Sequence, residues 1–473
     1  MFNKKGVFIL VLIPLLTSAL SFTLENIDVY KADKPAVCID DSGWIYLVGN
    51  KTGNDIVKFI KKSTGAWLPD SLLFSVVPST GYNCRSSAAT GPNQTLHILY
   101  RVQGGTYGWP VYTNNSSGSF TACDTLMKNA SQSTWHYGIA VDNLNHAHIV
   151  CEMYSGSYNL AYFYPFHADS MVWLVGNAVD PTIAVAQDNT VHIAYSSTTN
   201  TKIYYLNNAG GAFGTPILVS DTTGMDPSIA VDNAGKVHIC WTKECWSTLS
   251  NLYYATNKTG TFETTKITST SYCEGYSAIA LDKDNDVGIV FWVYHANDTA
   301  SIGFASKKAA AVVFTVDSVD MAFDNPSYGS INQNDRAVAF DSLEIAHFCY
   351  MGRSGTAAII MYGKTMSPIG VEELKAVEPI SAASLKCCPN PFNRSVAIKS
   401  EIRNPKSEIS LNIYDVSGRL VRSFKQLHNN SITWDRKDAA DMTVPCGVYI
   451  VQACLQLENG DRITMSEKLV VVE

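Results

Sequence analysis

The chain has 473 residues, 46% hydrophobic, 16% charged and 11% aromatic. It is too long for one compact module and too apolar for a disordered chain. A formal charge of −7, with no block of Lys or Arg, argues against general nucleic-acid binding. Tyr, Gly and Trp are plentiful and long Glu/Lys/Leu/Ala stretches are missing, which favours strands and turns over helices.

Residues 1–21 read as a secretory signal peptide. Lys4 and Lys5 form its positive start, Val7 to Leu16 its apolar core, and Thr17 to Ser21 supply small residues for cleavage. The apolar run is short for a membrane span, and no later stretch would cross a bilayer. The mature chain is therefore expected outside the cytoplasm, where its 12 cysteines can oxidise. Cys38, Cys151, Cys240 and Cys349 fall inside apolar strand patterns and read as small buried side chains. Cys84, Cys123, Cys245 and Cys273 fall near loops and are the better disulfide candidates; no pair has zinc-site spacing.

From residue 22 to about 365 one phrase returns seven times: apolar-x-apolar-Asp, a polar turn, then apolar-His-apolar. The anchor positions are Asp40, Gly91, Asp142, Ala186, Asp232, Asp282 and Asp341. Six residues after each stand Tyr46, His97, His148, His192, His238, Gly288 and His347. Each phrase reads as a hairpin, followed by a Tyr-rich third strand such as Ile203-Tyr204-Tyr205-Leu206 and a weaker fourth. Four strands at this spacing is the period of a β-propeller blade, and seven such blades are expected. The seventh repeat runs out after three strands, and the unassigned segment Phe22–Tyr30 is expected to supply its fourth.

The repeats resemble the neuraminidase-like (BNR-type) propeller superfamily in architecture. The Asp-box Ser-x-Asp-x-Gly-x-Thr-Trp is not matched, and Lys34-Pro35-Ala36 stands where sialidases carry Arg-Ile-Pro, so sialidase chemistry is not carried over.

Residues 366–384 read as a linker, and 385–473 as a small β-sandwich of short alternating strands. Pro389-Asn390-Pro391-Phe392, Tyr414-Asp415-Val416-Ser417-Gly418-Arg419, Trp434-Asp435 and Gly447-Val448-Tyr449 follow in that order. Together they resemble the C-terminal sorting domain of the type IX secretion system and the related flagellar-hook-capping Ig-like domain. The resemblance implies a bacterial exported protein, with secretion machinery as a partner of this domain. One departure is Arg436, where the family's Trp-Asp turn continues with Gly. The fold class expected is all-β: a seven-bladed β-propeller followed by an Ig-like β-sandwich.

The repeated His residues could form a metal-binding ring, but an alternating strand between blades suits a structural role better. A ligand site is expected at the channel mouth, six residues before each anchor, where Lys34, Arg85, His136, Asp180, Asp226, Tyr276 and Asp335 stand. Asp180 and Asp226, each followed by Pro, could share a Ca²⁺ ion; no other cofactor is expected. Rim loops add Arg101, Trp109, Trp135, Tyr154, Tyr158, Trp246, Glu274 and His295, a mix of aromatic faces and polar groups that suits sugars or protein partners. Glu152, Glu244 and Glu274 are carboxylates available for hydrolysis, and His136 or His295 with a Tyr and an Arg would serve a lyase. The expected function is binding of an extracellular glycan or protein on this rim, against two alternatives: a carbohydrate-active hydrolase or lyase, and a structural surface spacer.

Overall fold

The computed structural model describes residues 20–28, 35–51, 55–62, 65, 67, 71–75, 86–104, 107–120, 124–125, 133–164, 170–243, 250–295, 299–323, 336–354, 357–369, 384–401, 408–416, 418–424, 431–456 and 462–472. The proposed signal peptide lies outside them, apart from Leu20 and Ser21. Two compact units emerge, Met1–Val371 and Glu372–Glu473.

The first unit holds seven four-stranded antiparallel sheets among the described residues. Their innermost strands are Ala36–Ile39, Ser86–Gly91, Ser133–Val141, Ala178–Val185, Met225–Val231, Cys273–Leu281 and Val338–Phe340. Each packs against the next, and the last packs against the first. This closed cycle of radial sheets is the β-propeller fold. The sheets are called the first to seventh blades in that order.

Seven apolar cores follow from this arrangement, each shared by two successive blades. The core between the second and third blades, for example, joins Leu99 and Tyr112 to Ile139, Ile149 and Phe163. The core between the seventh and first joins Cys349, Ile360 and Tyr362 to Val37, Ile45 and Leu47. Both faces of each sheet are thereby covered, which explains why the strands carry apolar residues at successive positions and not only at alternate ones.

Phe22–Asp28 closes the cycle. It pairs antiparallel with Ala357–Thr365 as the outermost strand of the seventh blade, running from Phe22 opposite Thr365 to Asp28 opposite Ile360. The Phe22 ring packs edge-on against Phe304 and Phe348, and Trp67 of the first-blade region donates to Glu25 Oε2 at 2.7 Å. Val29 and Tyr30, included in the expected strand, lie outside the described residues. Ile369 is buried among residues of the sixth and seventh blades, so the stretch read as linker begins inside the propeller core; residues 370–383 are not described.

Cys38, Cys151, Cys240 and Cys349 are buried free thiols, and burial pushes Cys38 and Cys240 up to about 12. Cys273 is disulfide-bonded; Cys84, Cys123 and Cys245 are not among the described residues.

The second unit has a three-stranded sheet of Ser384–Cys388, Val396–Glu401 and Ser431–Trp434. Its four-stranded partner orders Leu420–Phe424, Glu408–Asp415, Gly447–Gln456 and Arg462–Val471. Phe392, Ile398, Leu411, Trp434, Tyr449 and Leu469 form the core of the unit. Arg436 has φ +63°, the left-handed conformation that a glycine adopts at least cost. Its guanidinium repairs the substitution by donating to the carbonyls of Asn393, Val444 and Val472 at 2.9, 3.1 and 3.2 Å.

Candidate functional site

The two ends of the blades are built differently, and the repeated histidines belong to the end with the turns. Five anchors are Asp, and in each Oδ1 accepts two backbone N–H groups of its own turn. Asp142 takes those of Leu144 and His146 at 2.9 and 2.8 Å, and Asp40, Asp232, Asp282 and Asp341 repeat the pattern. In all of them but Asp282, which has Gly288 six positions on, the second oxygen faces that residue's side chain. His148, His238 and His347 bring Nε2 to it at 3.3, 3.5 and 3.1 Å, and Tyr46 donates its hydroxyl at 2.8 Å.

The other ring nitrogen meets a third-strand tyrosine. Nδ1 of His97, His148, His192, His238 and His347 lies 2.6–2.7 Å from the hydroxyl of Tyr112, Tyr162, Tyr205, Tyr254 and Tyr362. Burial lowers the pKa of His97 and His148, and carries His192 and His238 down to about 4. A neutral ring has one proton, so at His148 and His347 Nε2–H donates to the anchor carboxylate and Nδ1 accepts the tyrosine O–H; at His97, whose anchor is Gly91, Nε2 meets Asn145 Oδ1 at 3.0 Å instead.

Opposite each of these rings in the innermost strand stands a small residue: Ala89, Ala140, Ala184, Ala230 or Ala339. In the sixth blade Gly288 faces Ala280, and a Cβ there would meet the rings of Phe340 and Phe304 at 2.7 and 3.0 Å. Phenylalanine fills the histidine's slot. The repeated His is thus a part of the fold.

Side chains of these turns also join neighbouring blades. Asn143 donates to Gln187 O at 2.7 Å, Gln187 to Asn233 Oδ1 at 3.1 Å, Asn233 to Lys283 O at 2.7 Å, and Lys283 pairs with Glu344. The turns therefore gather at one end, and the starting ends of the innermost strands gather at the other. Between them the strands of the fourth to seventh blades line an axial cavity of about 270 Å³.

At the starting end, the four described positions six before the anchor sit in register breaks; Lys34, Arg85 and Asp335 lie outside the described residues. The ladder skips between Thr134 and Tyr137, Val179 and Thr182, Met225 and Ser228, and Gly275 and Ser277. These bulges hold Trp135 and His136, Asp180, Asp226, and Tyr276. A bulge re-aims side chains that regular alternation would send into the sheet. Asp180, Asp226 and Tyr276 have φ of +52°, +52° and +42°, an uncommon conformation for residues with a Cβ.

Three of the side chains at this end converge. His136 Nδ1 lies 2.8 Å from Glu152 Oε2 and 3.0 Å from Asp180 Oδ1, and the Asp180 backbone N–H donates to the same Glu152 oxygen at 3.0 Å. The two carboxylates are buried, while the imidazole is 19% exposed. Glu152 comes from the second strand of the third blade, Ala147–Tyr154, and Asp180 from the first strand of the fourth.

Around this cluster lies an aromatic surface. Trp135 is 44% exposed, and the buried Arg101 guanidinium stacks under it at 4.6 Å from the ring centroid. Gly108 leaves the space: a Cβ there would overlap that guanidinium. Tyr154 and Tyr158 face each other across a hairpin with ring centroids 4.9 Å apart, and both are exposed. Burial and the nearby charges of Glu152, Tyr154 and Asp180 raise the Tyr158 pKa.

Of the expected mouth and rim residues, Trp135, His136 and Asp180 come together here. Asp226 and Tyr276 occupy the equivalent bulges of the fifth and sixth blades, and Tyr276 packs against Trp292. Glu274 differs from the expectation of a rim side chain: it is 1% exposed. Its carboxylate accepts from Thr268, Thr270 and the Leu252 N–H, and burial raises its pKa. Two residues before the bulge, it points into the sheet packing and fastens a loop. Arg85 and Trp246 lie outside the described residues. Among the described residues Asp180 groups with His136 and Glu152. Glu152 is expected from the sequence as a carboxylate available for hydrolysis, with no partner selected. Its signal is positional: ten residues after the anchor, the mouth end of the second strand carries Arg101, Glu152, Ser196 and Thr242 in successive blades.

Comparison with known proteins bears first on the second unit. Residues 386–472 match the secretion system C-terminal sorting domain. The chain is thus a bacterial protein, secreted or held at the cell surface, that engages the type IX secretion machinery through this domain. Among the described residues no helix is long and apolar enough to cross a membrane. No curated protein matches the chain. Among solved structures, the chain is similar to the BP39L lectin from Burkholderia pseudomallei at 9% identity and TM-score 0.49, over 69% of this chain and 94% of that one. It is similar to a PL25 polysaccharide lyase described as an ulvan lyase at 10% identity and TM-score 0.48, over 73% and 97%. A Hadza microbial sialidase, Hz136, gives 10% identity and TM-score 0.41, over 62% and 66%.

Proposed function

We propose that this protein is a secreted seven-bladed β-propeller that binds a glycan at its mouth, exported by its C-terminal domain. In this reading residues 22–365 form the binding domain, and residues 385–473 the sorting domain. Its kinship to neuraminidase-like propellers is one of architecture, without sialidase chemistry. The supporting observation is the exposed Trp135 ring, backed by Arg101 and set beside His136 and the Tyr154–Tyr158 pair. The C–H face of a sugar stacks on such a ring while its hydroxyls take polar partners. His136 is a ligand contact, Asp180 holds it in place, and Asp226 and Tyr276 extend the rim along the next blades. A glycan array probed with the mature chain tests this. Binding that disappears in Trp135→Ala supports it, and an array without binding overturns it.

A second reading, a polysaccharide lyase, draws on the carboxylates around His136. With Nδ1–H donated to Glu152 or Asp180, Nε2 is the basic nitrogen of the ring. Nε2 would take the proton from the uronate carbon that bears the carboxylate, a C=C bond would form as the glycosidic C–O bond breaks, and Tyr158 would return a proton to the leaving oxygen. Growth of ultraviolet absorbance from an unsaturated product on acidic polysaccharides, lost in His136→Gln, would favour this reading over simple binding.

A further inference from the structure

We infer that His136 Nδ1, Glu152 Oε2 and Asp180 Oδ1 form a binding site for a divalent metal ion of the zinc class. The three atoms lie within 4.8 Å of one another and come from three strands of two blades. Their arrangement differs from every His–carboxylate contact at the turn end. There, at His148 and His347, one ring nitrogen meets a tyrosine hydroxyl and the other a single carboxylate oxygen. Here one nitrogen faces two carboxylate oxygens, at 2.8 and 3.0 Å. A ring nitrogen carries at most one hydrogen, so a straight hydrogen bond reaches only one of those oxygens. A cation between the three atoms uses the nitrogen lone pair and both carboxylates together.

The donor set selects the ion. One imidazole and two carboxylates suit zinc and its neighbours, and three protein ligands leave a position for water or an incoming oxygen. Calcium takes six to eight oxygens, more than this group supplies. The site is reached past His136, the most exposed of the three ligands, from the side where Trp135 and Tyr158 stand. An ion here would meet sugar hydroxyls or a uronate carboxylate arriving at the mouth. The ion's presence is independent of the glycan reading; only that use of it rests there. Metal on Nδ1 also displaces the Nδ1–H that the lyase reading needs, so the two are exclusive.

The test is calorimetric titration of the mature, chelator-stripped chain with Zn²⁺ alone. One ion per chain is expected, with no displacement by Ca²⁺. Glu152→Gln and Asp180→Asn should each weaken binding by more than roughly 100-fold, beyond the effect of losing an outer-shell group. A folded, stripped chain that takes no Zn²⁺, or variants that bind it as the parent does, overturns the proposal. If a variant fails to fold, X-ray absorption on the Zn²⁺-loaded parent decides. Nitrogen and oxygen neighbours with an imidazole signature support the site, and sulfur neighbours from the free cysteines overturn it. Because Zn²⁺ is the only probe, a negative glycan array leaves this result unaffected.

Discussion

Histidine and carboxylate meet at both ends of the blades, with opposite meanings. At the turn end the pair recurs at one position, buried, beside the same tyrosine and opposite the same small residue. At the mouth it occurs once among the described residues, on a bulge, beside exposed aromatics. A chemical group that recurs at one position from blade to blade serves the fold, because those blades share the same packing problem. A departure from the repeat, placed where the strand has been bent to aim it, needs a different explanation. Residue type alone separates none of this; position within the repeat does.

The comparison can be broken most severely at Asp142. Asp142→Ala strips two backbone N–H groups and His148 of their acceptor, all within one turn. A loss of roughly 3 kcal/mol or more is expected in urea unfolding, the scale for breaking a buried charged network. Ligand binding by the protein that remains folded should be unchanged.

Acid should act on the turn end next. His192 and His238 titrate near 4 in the folded chain because burial disfavours their charge, and at 6.5 when exposed. Between those values the unfolded chain binds more protons, so stability rises with pH across the window. Their contribution is complete above about pH 6.5 and lost as the pH falls toward about 4. Thermal midpoints measured across that range should drop on acidification, and His238→Gln should flatten the slope.

Gly108→Ala sharpens the comparison from the other side. The new methyl displaces the Arg101 guanidinium from beneath Trp135. A cost of about 1–3 kcal/mol for overpacking is expected, smaller than that at Asp142. Ligand affinity should fall with it, read as a larger dissociation constant, whereas Asp142→Ala leaves affinity alone.

Much of the fold was legible because repetition multiplies a weak signal. Seven anchors in register placed the hairpins, and the three-strand remainder at residues 336–365 pointed to Phe22 as the closing strand. The Tyr46 substitution was readable as a histidine substitute, and its hydroxyl does reach Asp40. The third-strand tyrosines' grip on Nδ1 was not foreseen, since no spacing links them to the histidine before the register is known.

At the mouth, position within the repeat was legible but side-chain direction was not. Glu274 and Tyr276 both lay near the expected rim, but the bulge between Gly275 and Ser277 turns them differently. Prolines mark the bulges at Asp180 and Asp226, but no residue type gives the direction of Glu274, so its burial was invisible. So was the meeting of Glu152 with His136, which depends on the pairing and the bulge of one blade, and with Asp180, which depends on the bulge of the next.

The most direct test of the division between the two ends pairs His136→Gln with His238→Gln. Each is titrated with the array-selected glycan and melted in parallel with the parent chain. His136→Gln should lose affinity at an unchanged thermal midpoint, and His238→Gln should lose thermal stability at an unchanged dissociation constant. Full affinity in His136→Gln, or lost affinity in a still-folded His238→Gln, would contradict the account.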